Sequence, residues 1–343
     1  MQIKSSSLSD KYLIYFIPIT ALICTLVTIS NKDFFQIILQ ANVILLGYHH
    51  VIATFTRISF SKEDYKSNKF ITWPLLLIVM LIVFAILIFI GSWAIATIYF
   101  YWQWFHYTRQ SYGIAKKYER NDISQEKNSR KYKFHYYTLY LLPLTGILYR
   151  SSQQPDWFLS LKLYTFPIPN IAWLTCLVIT FIFIAIQLGL WINDLKNKCL
   201  NESFMMYMVS HHIIFTLGYM IIPNIDYGWL CINIWHNAQY LMFVWVLNSK
   251  RFNKGVHKNY NFISKISQKN NRSGYFIYCL GITVAIYWVL IRVGRFLNDY
   301  TSFSTVILIF MGINFHHYIV DSIIWKNTFI KKLHKITYPK IDE

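Results

Sequence analysis

Apolar stretches of about 20 residues recur from Tyr12 to Trp325, separated only by short polar breaks. That length crosses the roughly 30 Å hydrocarbon core of a bilayer as an α-helix. The chain therefore reads as an all-α, polytopic transmembrane helix bundle, a single integral-membrane domain over residues 1–343. Charged residues make up 14% of it, against roughly 25% in soluble domains, so no sizeable soluble domain fits beside the spans. The first ten residues are polar, and no small-residue cleavage site follows the run 12–29, so this start is not read as a cleavable signal.

Ten spans are expected, at 12–29, 33–56, 71–90, 92–115, 136–149, 170–192, 203–222, 227–247, 274–291 and 303–325. With the N-terminus in the cytoplasm, 27 Lys and Arg fall on inner segments and 5 on outer loops, with Arg109 inside a span. The positive-inside bias then puts both termini in the cytoplasm, as in a multi-pass protein of a bacterial inner membrane. The net charge of +18 thus reads as topology and attraction to membrane lipids, with no nucleic acid partner. Segments 116–135 and 248–273 are basic cytoplasmic loops, expected to be mobile. Gly91-Ser92 is the natural turn between the third and fourth spans. The fifth is short and contains Pro143, and the stretch with Pro155, Pro167 and Pro169 is expected to be re-entrant or superficial. Five scattered cysteines with no CxxC argue against a disulfide framework, a zinc ribbon and covalent haem.

Within this apolar frame five spans carry histidine: His49-His50, His106, His211-His212, His236 and His316-His317. An ionisable side chain in hydrocarbon is costly and marks a functional site by default. His50 lies seven residues before Arg57, His106 ten before Lys116, His211 nine after Glu202, His236 fourteen before Lys250 and His317 nine before Lys326. At about 1.5 Å per residue all five fall roughly 10–20 Å below the inner surface, although their helices run in opposite directions.

Neighbouring residues add chemistry. Asn314, His317 and Asp321 are spaced to share a helix face, and a carboxylate four residues from a histidine can share a metal or orient the ring. Gln103, His106, Arg109 and Gln110 form one polar stripe, and Asn233, His236 and Tyr240 another. One intramembrane histidine is as readily a helix–helix hydrogen bond as a ligand. Three HH pairs plus two more sites at one depth exceed what packing needs. The expected metal ligands are His50, His106, His212, His236, His316 and His317, with His49, His211 and Asp321 as ligands or their supports; this set could hold one ion or two. Arg109, Gln110 and Tyr240 are candidate catalytic residues that orient substrate or peroxide. His135, His257 and His334 read as plain loop residues. Imidazole suits iron, copper and zinc, and carboxylate favours harder ions.

The dispersed histidine segments resemble the histidine-rich integral-membrane iron oxygenases, closest in layout to the Brp/Blh-like carotene dioxygenases. The HxxxH, HxxHH and HxxH boxes of membrane desaturases and alkane hydroxylases do not occur here. The resemblance implies non-haem iron and oxidative attack by O₂ on a lipophilic, membrane-accessed substrate, with a redox partner at the cytoplasmic face. Two other readings stand beside it: a histidine-lined ion- or proton-coupled transporter, and an electron carrier with haem b between histidines on facing helices.

Overall fold

A computed structural model describes residues 8–120, 129–298, 305–326 and 337. Among the described residues the fold is all-α apart from one small hairpin. In chain order the helices are α1 (Tyr12–Ser30), α2 (Asp33–Ile58), α3 (Lys62–Ser67), α4 (Lys69–Phe89), α5 (Ser92–Arg120) and α6 (Ser129–Ser152). The strands β1 (Trp157–Phe158) and β2 (Leu161–Lys162) follow, paired antiparallel. Then come α7 (Asn170–Lys196), α8 (Glu202–Ile221), α9 (Ile225–Arg251), α10 (Asn261–Ile266), α11 (Arg272–Asn298) and α12 (Thr305–Ile324).

Among the described residues, six helices are long and apolar enough to cross a membrane: α1, α2, α4, α7, α8 and the segment Lys269–Asn298 that contains α11. Four further helices, α5, α6, α9 and α12, are 29, 24, 27 and 20 residues long. Those four carry His106, His135, His236, His316 and His317.

The fifth expected span is longer than 136–149, because α6 runs straight through Pro143. Proline lacks the N–H that would bond the carbonyl four residues earlier, which here is Leu139. His211 on α8 replaces it, its Nε2 lying 3.0 Å from the Leu139 carbonyl oxygen. That substitution explains both an unbroken α6 and a buried histidine on α8. The turn at Gly91 is as expected, with φ of 120°, a left-handed geometry that suits glycine. The proline-bearing stretch forms the hairpin β1–β2, whose turn residues Leu159 and Ser160 also have positive φ (50° and 63°).

Both basic loops are shorter than expected. Helices occupy most of 116–135, and 121–128 lie outside the described residues. Segment 248–273 is folded, with Phe252, Tyr260, Ile263 and Ile266 buried. Its Arg251 donates two hydrogen bonds to Asp64, at 2.8 and 2.9 Å. His257 stays in a loop, and His334 lies outside the described residues. His135 is a correction. It is fully buried on α6, where its Nδ1 meets Gln187 Nε2 at 3.1 Å.

Contacts divide the chain into two compact units, Met1–Leu39 with Ser92–Gln239, and Gln40–Gly91 with Tyr240–Glu343. In the first, Phe158 from the hairpin is buried against the rings of Tyr99, Phe100 and Trp229. Gly228 of α9 meets Gly218 of α8 so closely that a Cβ on Gly228 would lie 2.0 Å from the Gly218 carbonyl oxygen. In the second, Ile58, Val320 and Ile324 form one apolar cluster, and Ala53, Tyr240, Leu241 and Val244 form another.

Candidate metal centre

In the second unit, α2 and α12 bring two histidines together. A π-helical stretch, Val43–Tyr48, leads directly into His49. Such widened turns rotate the residues that follow and often occur at functional sites. His50 Nε2 lies 3.1 Å from His317 Nε2, and one turn further along α12 the Asp321 Oδ2 lies 3.4 Å from that same His317 nitrogen. All three side chains are buried, at 5%, 1% and 3% exposure. Seven residues after His50, Arg57 stands over the ring of Trp325, eight after His317. The two helices therefore lie side by side and run in the same direction.

A chain of hydrogen bonds fixes how His317 presents its ring. Tyr240 Oη donates to Asp321 Oδ1 at 2.6 Å, since a carboxylate oxygen accepts. That uses its one proton, so in the 2.7 Å contact between Thr54 Oγ1 and Tyr240 Oη the threonine donates. Thr54 Oγ1 then accepts from His317 Nδ1–H at 3.0 Å. With the proton on Nδ1, neutral His317 turns the Nε2 lone pair toward His50 and Asp321. His317 Nε2 thus has two possible metal donors beside it, an imidazole nitrogen of His50 and a carboxylate oxygen of Asp321, and the Thr54–Tyr240–Asp321 chain orients the His317 ring and the carboxylate.

The other member of each pair does something else. His49 Nδ1 donates to the Leu45 carbonyl at 3.2 Å, and His316 Nε2 donates to the Ile71 carbonyl at 2.8 Å. Adjacent helical residues point about 100° apart, so one histidine of a pair faces the cluster and its neighbour satisfies backbone elsewhere.

In the first unit, α5 and α9 pair His106 with His236, ring centroids 4.9 Å apart, both buried. Tyr107 packs on His236 at 4.1 Å and accepts a 2.7 Å hydrogen bond from Asn233. Gln110 is buried and donates to the His236 carbonyl at 2.9 Å, so it ties α5 to the backbone of α9. Arg109 does not share their face; it is exposed, beside the Phe105 ring. His211 and His212 are not gathered with His106 and His236. His211 serves Leu139, and His212 Nε2 meets Gln187 Oε1 at 2.9 Å. Through Gln187, His212 connects to His135, an arrangement that three distant positions in sequence gave no sign of.

Thr54 was missed from sequence. The available signal was its place one turn after His50, on the face that carries Arg57 a turn later. No family model, no curated protein and no solved structure matches this chain.

Proposed function

We propose that this protein is a membrane-embedded, metal-dependent oxidoreductase that acts with O₂ on a lipophilic substrate, its ion held at His317 with His50 or Asp321 as the neighbouring donor. The separations among the donor atoms carry the reading. Two atoms bonded to one ion at about 2.0–2.1 Å lie about 2.9 Å apart at a right angle and about 3.4 Å apart at the tetrahedral angle. The 3.1 Å between His317 and His50 and the 3.4 Å between His317 and Asp321 each fall in that range. Axial ligands on opposite faces of a haem iron would stand about 4 Å apart, so the haem b reading is less favoured. Either pair leaves coordination positions open, and histidine with carboxylate is the donor chemistry of non-haem iron oxygenases. When bound, the ion would supply O₂ binding and activation.

The chain's own residues do the rest. Thr54 holds the His317 tautomer, Tyr240 holds one Asp321 oxygen away from His317, and the surrounding apolar helices exclude water. The first unit offers His106 and His236 as two further imidazoles, leaving room for a second ion. This reading agrees with the resemblance to Brp/Blh-like dioxygenases and with a redox partner at the cytoplasmic face. Copper and zinc use the same donors.

Metal analysis and a visible spectrum of the purified protein test it. Stoichiometric iron without a Soret band is expected. A Soret band would turn the assignment to haem, and absence of any bound metal would leave the transporter.

The same proposal takes all ten long helices as spans, with both ends cytoplasmic in a bacterial inner membrane, because the charge bias needs an even number of crossings. Cysteines introduced into 121–128 and 253–257 should label from the same, cytoplasmic side. Labelling from opposite faces would break that topology.

A further inference from the structure

We propose that Arg57 and Trp325 form a buried oxyanion site that anchors the carboxylate headgroup of a lipophilic ligand; only the fate of that ligand rests on the metal centre proposed above. Arg57 lies near the C-terminal end of α2 and is 3% exposed. Its Cζ sits 5.3 Å from the centroid of the Trp325 ring. Among the described residues, Arg57 Nε and Nη1 and Trp325 Nε1 are buried with no hydrogen-bond acceptor. A charge taken out of water without a partner is among the costliest features a fold can carry. The same unit shows the ordinary solution nearby, where Asp64 accepts two hydrogen bonds from Arg251. Asp321 acts on the Arg57 charge from a distance, but no carboxylate among the described residues accepts a hydrogen bond from Arg57 Nε or Nη1, so these and the Trp325 indole N–H are donors lacking an acceptor. That set matches an anionic carboxylate oxygen, which accepts charge-assisted bonds from guanidinium and indole N–H groups.

The surroundings decide what carries the carboxylate. Trp325 packs against the cluster of Ile58, Val320 and Ile324 and against that of Tyr240, Leu241 and Val244. An anion seated among them needs an apolar body, which an acyl chain provides. Arg57 lies seven residues, two turns, beyond His50, on the same face and about 10 Å further along the helix. Trp325 lies one turn beyond Asp321. A chain anchored at Arg57 therefore has its headgroup two turns from the histidine cluster, and the substrate class is a lipophilic acid.

Binding of radiolabelled hexadecanoate to the full-length, detergent-solubilised protein tests this, with hexadecanol and acetate as comparisons. Hexadecanoate should saturate one site, hexadecanol should bind about tenfold more weakly or worse for want of the charge-assisted bonds, and acetate should not compete at millimolar concentration. Arg57→Gln should weaken hexadecanoate about tenfold or more, while Arg57→Lys, which keeps the charge, should lose less. Equal binding of the acid and the alcohol, or unchanged binding in Arg57→Gln, would overturn the proposal. Acetate competing as well as hexadecanoate would also overturn it, by marking a small-anion site. If Arg57→Gln does not fold, the comparison of acid with alcohol on the wild type still decides. Repeating the measurement on chelator-treated protein separates the two readings: hexadecanoate that binds a protein without metal upholds the anion site even if the oxidoreductase reading falls.

Discussion

His317→Ala is expected to abolish stoichiometric metal binding, cutting bound iron to below about a tenth of the wild-type content. His317 is the shared member of the donor set: its Nε2 is within 3.1 Å of His50 and 3.4 Å of Asp321, and its Nδ1 bonds Thr54. Residues that merely orient ligands commonly cost about 10–100-fold in metal affinity when changed, and removing a ligand should cost at least as much. His211→Ala is the control. His211 supports the carbonyl left bare by Pro143, so its loss leaves a buried acceptor unsatisfied, at a cost of about 1–3 kcal/mol, and should lower thermal stability without emptying the metal site. Iron content by mass spectrometry, beside melting curves of both variants, checks this. Full iron in His317→Ala, or loss of iron in His211→Ala with the fold intact, would remove the second-unit cluster from consideration.

Asp321→Asn should produce opposite changes in metal affinity and in stability of the metal-free protein. Asparagine keeps the shape and can still accept the Tyr240 hydrogen bond through its carbonyl oxygen. The group facing His317 then becomes an amide N–H₂, which donates to the imidazole lone pair and does not coordinate. Metal affinity should fall by roughly 100-fold, measured by competition with a chelator. The metal-free variant should melt at the wild-type temperature or above it, because a neutral amide is cheaper than a carboxylate in an apolar interior. Unchanged affinity would remove Asp321 from the centre, and a lower melting temperature of the metal-free variant would show that its charge is held by something other than an ion.

Much of the architecture was legible because hydrocarbon imposes simple demands. Helix length and apolarity are set by bilayer thickness, so α1, α2, α4, α7 and α8 fall where the runs of apolar residues do. The His317–Asp321 pair was legible for a similar reason: residues four apart on one helix are neighbours whatever else the chain does. α6 reads as short in the sequence because the signal that Pro143 is tolerated lies on another helix, in His211. His135 reads as a loop residue for a different reason, since α6 begins at Ser129, earlier than its apolar core implies.

By itself the sequence determined that this chain is helical, that helices of bilayer length recur along it, and that several of its apolar stretches carry histidine. Only the tertiary structure decided that His50 and His317, and not His49, His316, His211 or His212, come together. Two neighbours 100° apart on a helix cannot both face one partner, and a π-helical turn before His49 resets the faces in a way hydropathy does not reveal. The structure likewise turned Arg109 outward, bound Gln110 to a backbone carbonyl, and set Tyr240, Thr54 and Asp321 in one hydrogen-bonded chain with His317. These outcomes depend on the rotation and register of packed helices. Those are fixed by contacts between residues far apart in the chain, and no local spacing encodes them.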